Sequence, residues 1–102
     1  MAIHFKFIFG GKNQGLRCRL AHLLFIEGET IYSAELDERL NVNQATANRV
    51  VREFIKLGLV DEVPITKKGI RSREARYYQA ASHPAIVELA KYSDIIKMLA
   101  EV

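Results

Sequence analysis

Residues 33–60 constrain the fold of this chain more than any other stretch. Leu36 and Leu40 stand one helical turn apart, Asn41, Val42 and Asn43 interrupt, and a second helical period follows in Ala47, Val50, Val51 and Phe54. Side chains three and four residues apart share a face of a helix, so each segment has one apolar side. Asn tolerates unusual backbone angles and its side chain caps helices, so the interruption predicts a tight turn and Asn43 predicts the cap of the second helix. Ser33 offers a cap to the first helix, whose opening turn carries Glu35, the favourable charge at that end. Gly58 suits the left-handed conformation that ends a helix, and Leu59, Val60 and Val63 continue as a strand up to Pro64. The pattern predicts a short helix, a tight turn, a second helix over 44–57 and a strand.

The far side of the second helix is basic, with Ala45, Arg49, Arg52 and Lys56 lying roughly opposite its apolar stripe. Beyond the strand, Lys67, Lys68, Gly69, Ile70, Arg71, Ser72 and Arg73 form a basic connection to a second strand over 75–81. That strand contains Tyr77 and Tyr78, and alternation places one of the two in the core. The chain carries a formal charge of +3, unevenly divided. Residues 44–76 hold eight basic and four acidic side chains, so this segment alone is +4 and the remainder is −1. A localised basic surface points to a polyanionic partner.

The flanking segments complete the expected domain. Ile3, Phe5, Phe7 and Phe9 alternate with His4, Lys6 and Ile8, the period of a strand with one apolar face, and Gly10 and Gly11 end it. Residues 13–26 form a helix that is apolar on two sides, with Leu16, Leu20, Leu23 and Leu24 on one and Cys18, Ala21 and Phe25 on the other, as befits a central helix. Thr30, Ile31 and Tyr32 make a short strand. Ser82, His83 and Pro84 supply a cap and first turn for a last helix over 82–102, in which Ala85, Leu89, Tyr92, Ile96 and Leu99 recur at spacings of four and three. Such a seam either joins two copies of the chain or packs on its own core. The fold expected is α+β, one domain over 1–102. It comprises a winged helix-turn-helix core at 13–81, an extra N-terminal strand at 1–11 and a C-terminal helix available for dimerisation.

At residues 34–60 the sequence resembles the winged-helix regulators of the MarR, ArsR and TrmB-like families. The stretch from Gln44 through Arg49, Val50, Val51, Arg52, Phe54 and Leu57 to Gly58, Leu59 and Val60 is similar to their recognition helix and first wing strand. The resemblance implies a homodimer bound to pseudo-palindromic double-stranded DNA as a transcriptional regulator. Gln44, Ala45, Thr46, Asn48 and Arg49 would then face bases, and the wing of Lys67, Lys68, Arg71 and Arg73 would contact the backbone. Arg52 and Lys56 extend the basic face of the helix. The groove chemistry agrees: Arg pairs with guanine, Asn or Gln with adenine, and flanking cations meet phosphates.

Other chemistries find little support. Cys18 and His22 share a helix face, but two ligands with only His4 nearby are too few for a metal site, and no cofactor is expected. The glycines of residues 10–15 lack the spacing and the Ser or Thr that a phosphate loop needs. No side chains are arranged for nucleophilic or acid-base catalysis, so an enzyme is not expected. No apolar run approaches the roughly 18 residues of a membrane span, and no signal peptide is recognisable, which predicts a cytoplasmic protein. The rival reading is a winged-helix adaptor that binds protein within a nucleic-acid-associated complex, since fold does not fix function.

Overall fold

The computed structural model describes residues 7–11, 13–65 and 76–101. Helix α1 (Gln14–Ala21) runs directly into a π-helical turn (His22–Ile26), followed by β1 (Ile31–Tyr32), a 3-10 turn (Ser33–Glu35) and α2 (Leu36–Leu40). Then come α3 (Gln44–Lys56), β2 (Val60–Pro64), β3 (Arg76–Ala80), α4 (Pro84–Ala90) and α5 (Ser93–Ala100). The strands form one antiparallel sheet in the order β1-β3-β2, so the class is α+β as the sequence implied.

The local signals act where they stand. Asn41 takes the left-handed conformation at φ +57°, and Asn43 Oδ1 accepts the backbone N–H of Thr46 at 2.8 Å. Gly58, at φ +77°, ends α3. His83 Nδ1 accepts the N–H of Ala85 at 3.0 Å ahead of Pro84. Ser33 opens the 3-10 turn instead of capping α2; the Glu35 carboxylate reaches back to accept the Tyr32 N–H at 3.3 Å.

Helix α1 and its π-helical turn form the centre of the domain. Cys18, Leu20, Ala21, Leu24 and Phe25 are all buried, which is the enclosed state expected of a helix apolar on two sides. The wide turn closes where Glu27 donates to the carbonyl of His22, five residues back, at 2.8 Å. Ala47, Val50, Val51 and Phe54 of α3 join this core, as do buried residues of α2, the sheet, α4 and α5. The Phe54 ring meets Phe7 and Phe25 edge-on, with centroids 5.0 and 5.8 Å away.

Two arginines of α1 fasten the periphery to this core. The Arg19 guanidinium donates to the carbonyls of Leu40 and Ala100, satisfying acceptors left open at the ends of α2 and α5. Arg17 Nη1 donates to the carbonyls of Phe7 and Gly10 at 3.1 and 2.9 Å, while its Nη2 meets Glu53 Oε2 of α3 at 3.0 Å. Its guanidinium also lies 4.7 Å from the Phe7 ring centroid.

Two expectations are corrected. Residues 7–9 are helical, where a strand was expected, and Met1 to Lys6 lie outside the described residues. In a strand Ile8 would point away from Phe7 and Phe9, onto the polar side. The helical turn instead buries Ile8 completely while Phe7 and Phe9 still pack on the core. The C-terminal segment is two helices, not one, because i to i+3 hydrogen bonds at Lys91 and Tyr92 tighten the chain and turn it. The break lets α4 lie against the π-helical turn and α5 against α1, which one straight helix could not do. Ala85, Leu89 and Ile96 of the expected seam are therefore buried within their own chain.

Candidate nucleic-acid interface

The burial of its apolar stripe leaves α3 with a polar face turned outward. Gln44, Ala45, Asn48, Arg49, Arg52 and Lys56 are exposed, and Thr46 is half-buried where its N–H meets the Asn43 cap. Gln44, Asn48 and Arg52 follow one another at intervals of four and so form a single row along the helix. Arg49 and Lys56 make no ion pair among the described residues. Lys67, Lys68, Arg71 and Arg73 lie outside the described residues, in the stretch of sequence between β2 and β3.

Arg52 is not simply solvated. Its Nη1 donates to Glu62 Oε1 at 3.2 Å and its Nη2 lies 2.9 Å from Glu62 Oε2, a two-pronged pair that ties α3 to β2. Arg76 of β3 donates to the same Glu62 Oε2 at 3.0 Å. Glu62 stands opposite Tyr78 in the β2-β3 register, and Arg76 lies two residues before Tyr78, so all three point to the α3 side of the sheet. Burial disfavours the charged Glu62 carboxylate, but the hydrogen bonds and charges of Arg76 and Arg52 outweigh it and hold its pKa below the ordinary 4.5.

Between the sheet and the row on α3 lies an open notch of about 450 Å³, lined by Ser33, Ala34, Gln44, Asn48, Arg52, Arg76 and Tyr78. Ser33, Arg76 and Glu62 were not singled out as site residues in the sequence; the two-residue offset of Arg76 from Tyr78 was the one signal available for it. Tyr78 is the core tyrosine, at 2% exposure, and Tyr77 meets the half-exposed Tyr32 edge-on at 6.1 Å. A second, apolar cleft of about 380 Å³ is lined by Phe9, Gln14, Tyr92, Ile95 and Leu99.

The Cys18 thiol is buried 3.9 Å from the carbonyl of Ile8, and desolvation pushes its pKa up to about 11. His22 Nε2 lies 3.4 Å from Glu27 Oε1. Among the described residues no group of three or more His, Cys, Asp or Glu is placed to hold a metal ion, and no helix is long and apolar enough to cross a membrane.

No family model matches the chain, and no curated protein matches it. Its structure is similar to the crystal structure of the adhesin competence repressor AdcR from Streptococcus pyogenes, with a TM-score of 0.53 over 95% of this chain and 67% of that one, at 13% identity. The fold is a winged helix. In that frame α2 and α3 are the helix-turn-helix, and strands β2 and β3 are the base of the wing.

Proposed function

We propose that the protein is a transcriptional regulator that binds double-stranded DNA in a sequence-specific manner, with α3 in the major groove. The observation that carries this reading is the exposed row on α3, rich in Gln, Asn and Arg, set on a helix whose other face is locked into the core. The first turns of a helix in the major groove reach base edges, and Gln44, Ala45, Thr46, Asn48 and Arg49 occupy them. Arg52 and Lys56 continue along the backbone side, and Lys67, Lys68, Arg71 and Arg73 of the wing meet phosphates. The similarity to a repressor's fold agrees with this role, which is not an enzyme's and which belongs in the cytoplasm of the cell.

The protein acts as a homodimer in this reading. Its self-association surface is the apolar cleft beside α5, where Tyr92 and Ile95 are 40 and 45% exposed, together with Met98 of the same helix at 60%. Apolar side chains clustered in this way gain from burial against a second copy. Selection of bound duplexes from a random pool, followed by affinity measurements at several salt concentrations, tests the proposal. Enrichment of a palindromic sequence with steep salt dependence is expected; no enrichment, with no duplex bound, would leave the adaptor reading in its place.

A further inference from the structure

Glu62 is an acidic side chain held by two arginines of a surface otherwise suited to a polyanion. Its carboxylate is gripped by both prongs of Arg52 and by Arg76, and both arginines line the notch beside Gln44 and Asn48. A guanidinium carries five N–H donors in a rigid fork, so the carboxylate that takes two from Arg52 fixes the direction of that fork, and the bond from Arg76 Nη1 holds the second arginine beside it. The three side chains together carry +1 where the arginines alone would carry +2. A phosphodiester entering the notch thus meets two guanidinium groups whose positive charge is partly offset by the carboxylate that both of them hold.

Resting on the DNA reading above, we propose that Glu62 is a positioning and specificity-determining residue of the interface. By aiming Arg52 and Arg76 into the notch, it lets the pair engage a backbone phosphate when α3 is seated on its preferred sequence. By repelling phosphates, it weakens the hold on all other DNA. A surface arginine without such a tether would follow any phosphate within reach and gain affinity without discrimination.

Glu62→Gln tests this, since it keeps the size of the side chain and one acceptor but removes the charge. Binding to the selected duplex and to a scrambled duplex is measured as a function of salt, with thermal unfolding recorded alongside. The scrambled duplex should bind about fivefold more tightly, with a salt slope steeper by about one, while the selected duplex changes less than twofold. Glu62→Asp, which retains the charge, should leave the scrambled-duplex slope at the wild-type value. Arg52→Lys keeps its charge but loses the two-pronged hold, so the ratio of the two affinities should fall with the slope unchanged; this variant carries the test if Glu62→Gln unfolds. An equal change in both affinities with an unaltered slope for Glu62→Gln, or an unaltered ratio for Arg52→Lys, would overturn the role of Glu62 while leaving the DNA reading intact. A wild-type protein that distinguishes no duplex would overturn both.

Discussion

Replacing Arg17 by Ala removes more than one contact. The side chain is 15% exposed, supplies the carbonyls of Phe7 and Gly10, covers the Phe7 ring and neutralises Glu53. Hydrogen bonds from a charged donor contribute about 1.5–3 kcal/mol each when buried, and an abandoned buried partner adds its own cost. Three features reduce the total. Glu53 is 34% exposed and can be rehydrated, the freed carbonyls can find water, and Arg17 Nε and Glu53 Oε1 have no partner among the described residues, so the pair is single-pronged. The net expectation is a loss of about 2–4 kcal/mol. Glu53→Gln leaves the carbonyl bonds and the ring contact in place and should cost only about 1 kcal/mol. Urea unfolding at neutral pH measures both, and the double variant should lie about 1 kcal/mol short of additivity. If Arg17→Ala costs no more than Glu53→Gln, the claim that Arg17 holds residues 7–10 against the core is wrong.

Three further outcomes follow from other contacts. Cys18 should resist alkylation in the folded protein and react readily in urea, and because its pKa is raised, its contribution to stability should be lost as pH rises from 9 through about 11; a Cys18→Ser variant should lack that alkaline loss. Glu62 has a lowered pKa, so its contribution is present above 4.5 and disappears as pH falls below it; thermal unfolding of Glu62→Gln should show a shallower acid limb than wild type. Ile95→Glu places a charge on the apolar cleft and should shift sedimentation from dimer to monomer without a large change in the unfolding midpoint of the monomer; an unchanged dimer would remove α5 from the self-association surface.

The parts of the fold legible in the sequence are those set by neighbours along the chain. Asn41, Asn43 and Gly58 mark the ends of α2 and α3 through their own backbone preferences, and the stripe of Ala47, Val50, Val51 and Phe54 orients α3 without reference to anything distant. Residues 7–9 misled because an alternating pattern of large apolar side chains fits a strand, while Ile8, the member out of phase, turned out to be the one fully buried. The turn at Lys91 and Tyr92 has no Gly or Pro to announce it; it exists because α4 and α5 have different surfaces to cover. The exposed residues of α3 could be named from periodicity, but the Arg52, Glu62 and Arg76 cluster could not. Its members are separated by 10 and 14 positions and meet only through the register of β2 with β3 and the docking of α3 on the sheet. Arg17 was hidden for a similar reason, since a charged residue on a helix reads as solvated until its distant acceptors are known.

The central claim is that the exposed face of α3 reads bases, and Arg49 is the residue on which it turns. Arg49 is exposed, makes no ion pair among the described residues and stands beside Asn48, so no contact among the described residues is lost with its guanidinium. The decisive measurement is the ratio of affinities for the selected and scrambled duplexes, in wild type and in Arg49→Ala, at matched salt. A base-reading arginine predicts a loss of about 1–3 kcal/mol on the selected duplex, a much smaller loss on the scrambled one and an unchanged unfolding temperature. An unchanged ratio, with both affinities falling together, would contradict the account and reduce α3 to a sequence-indifferent basic surface.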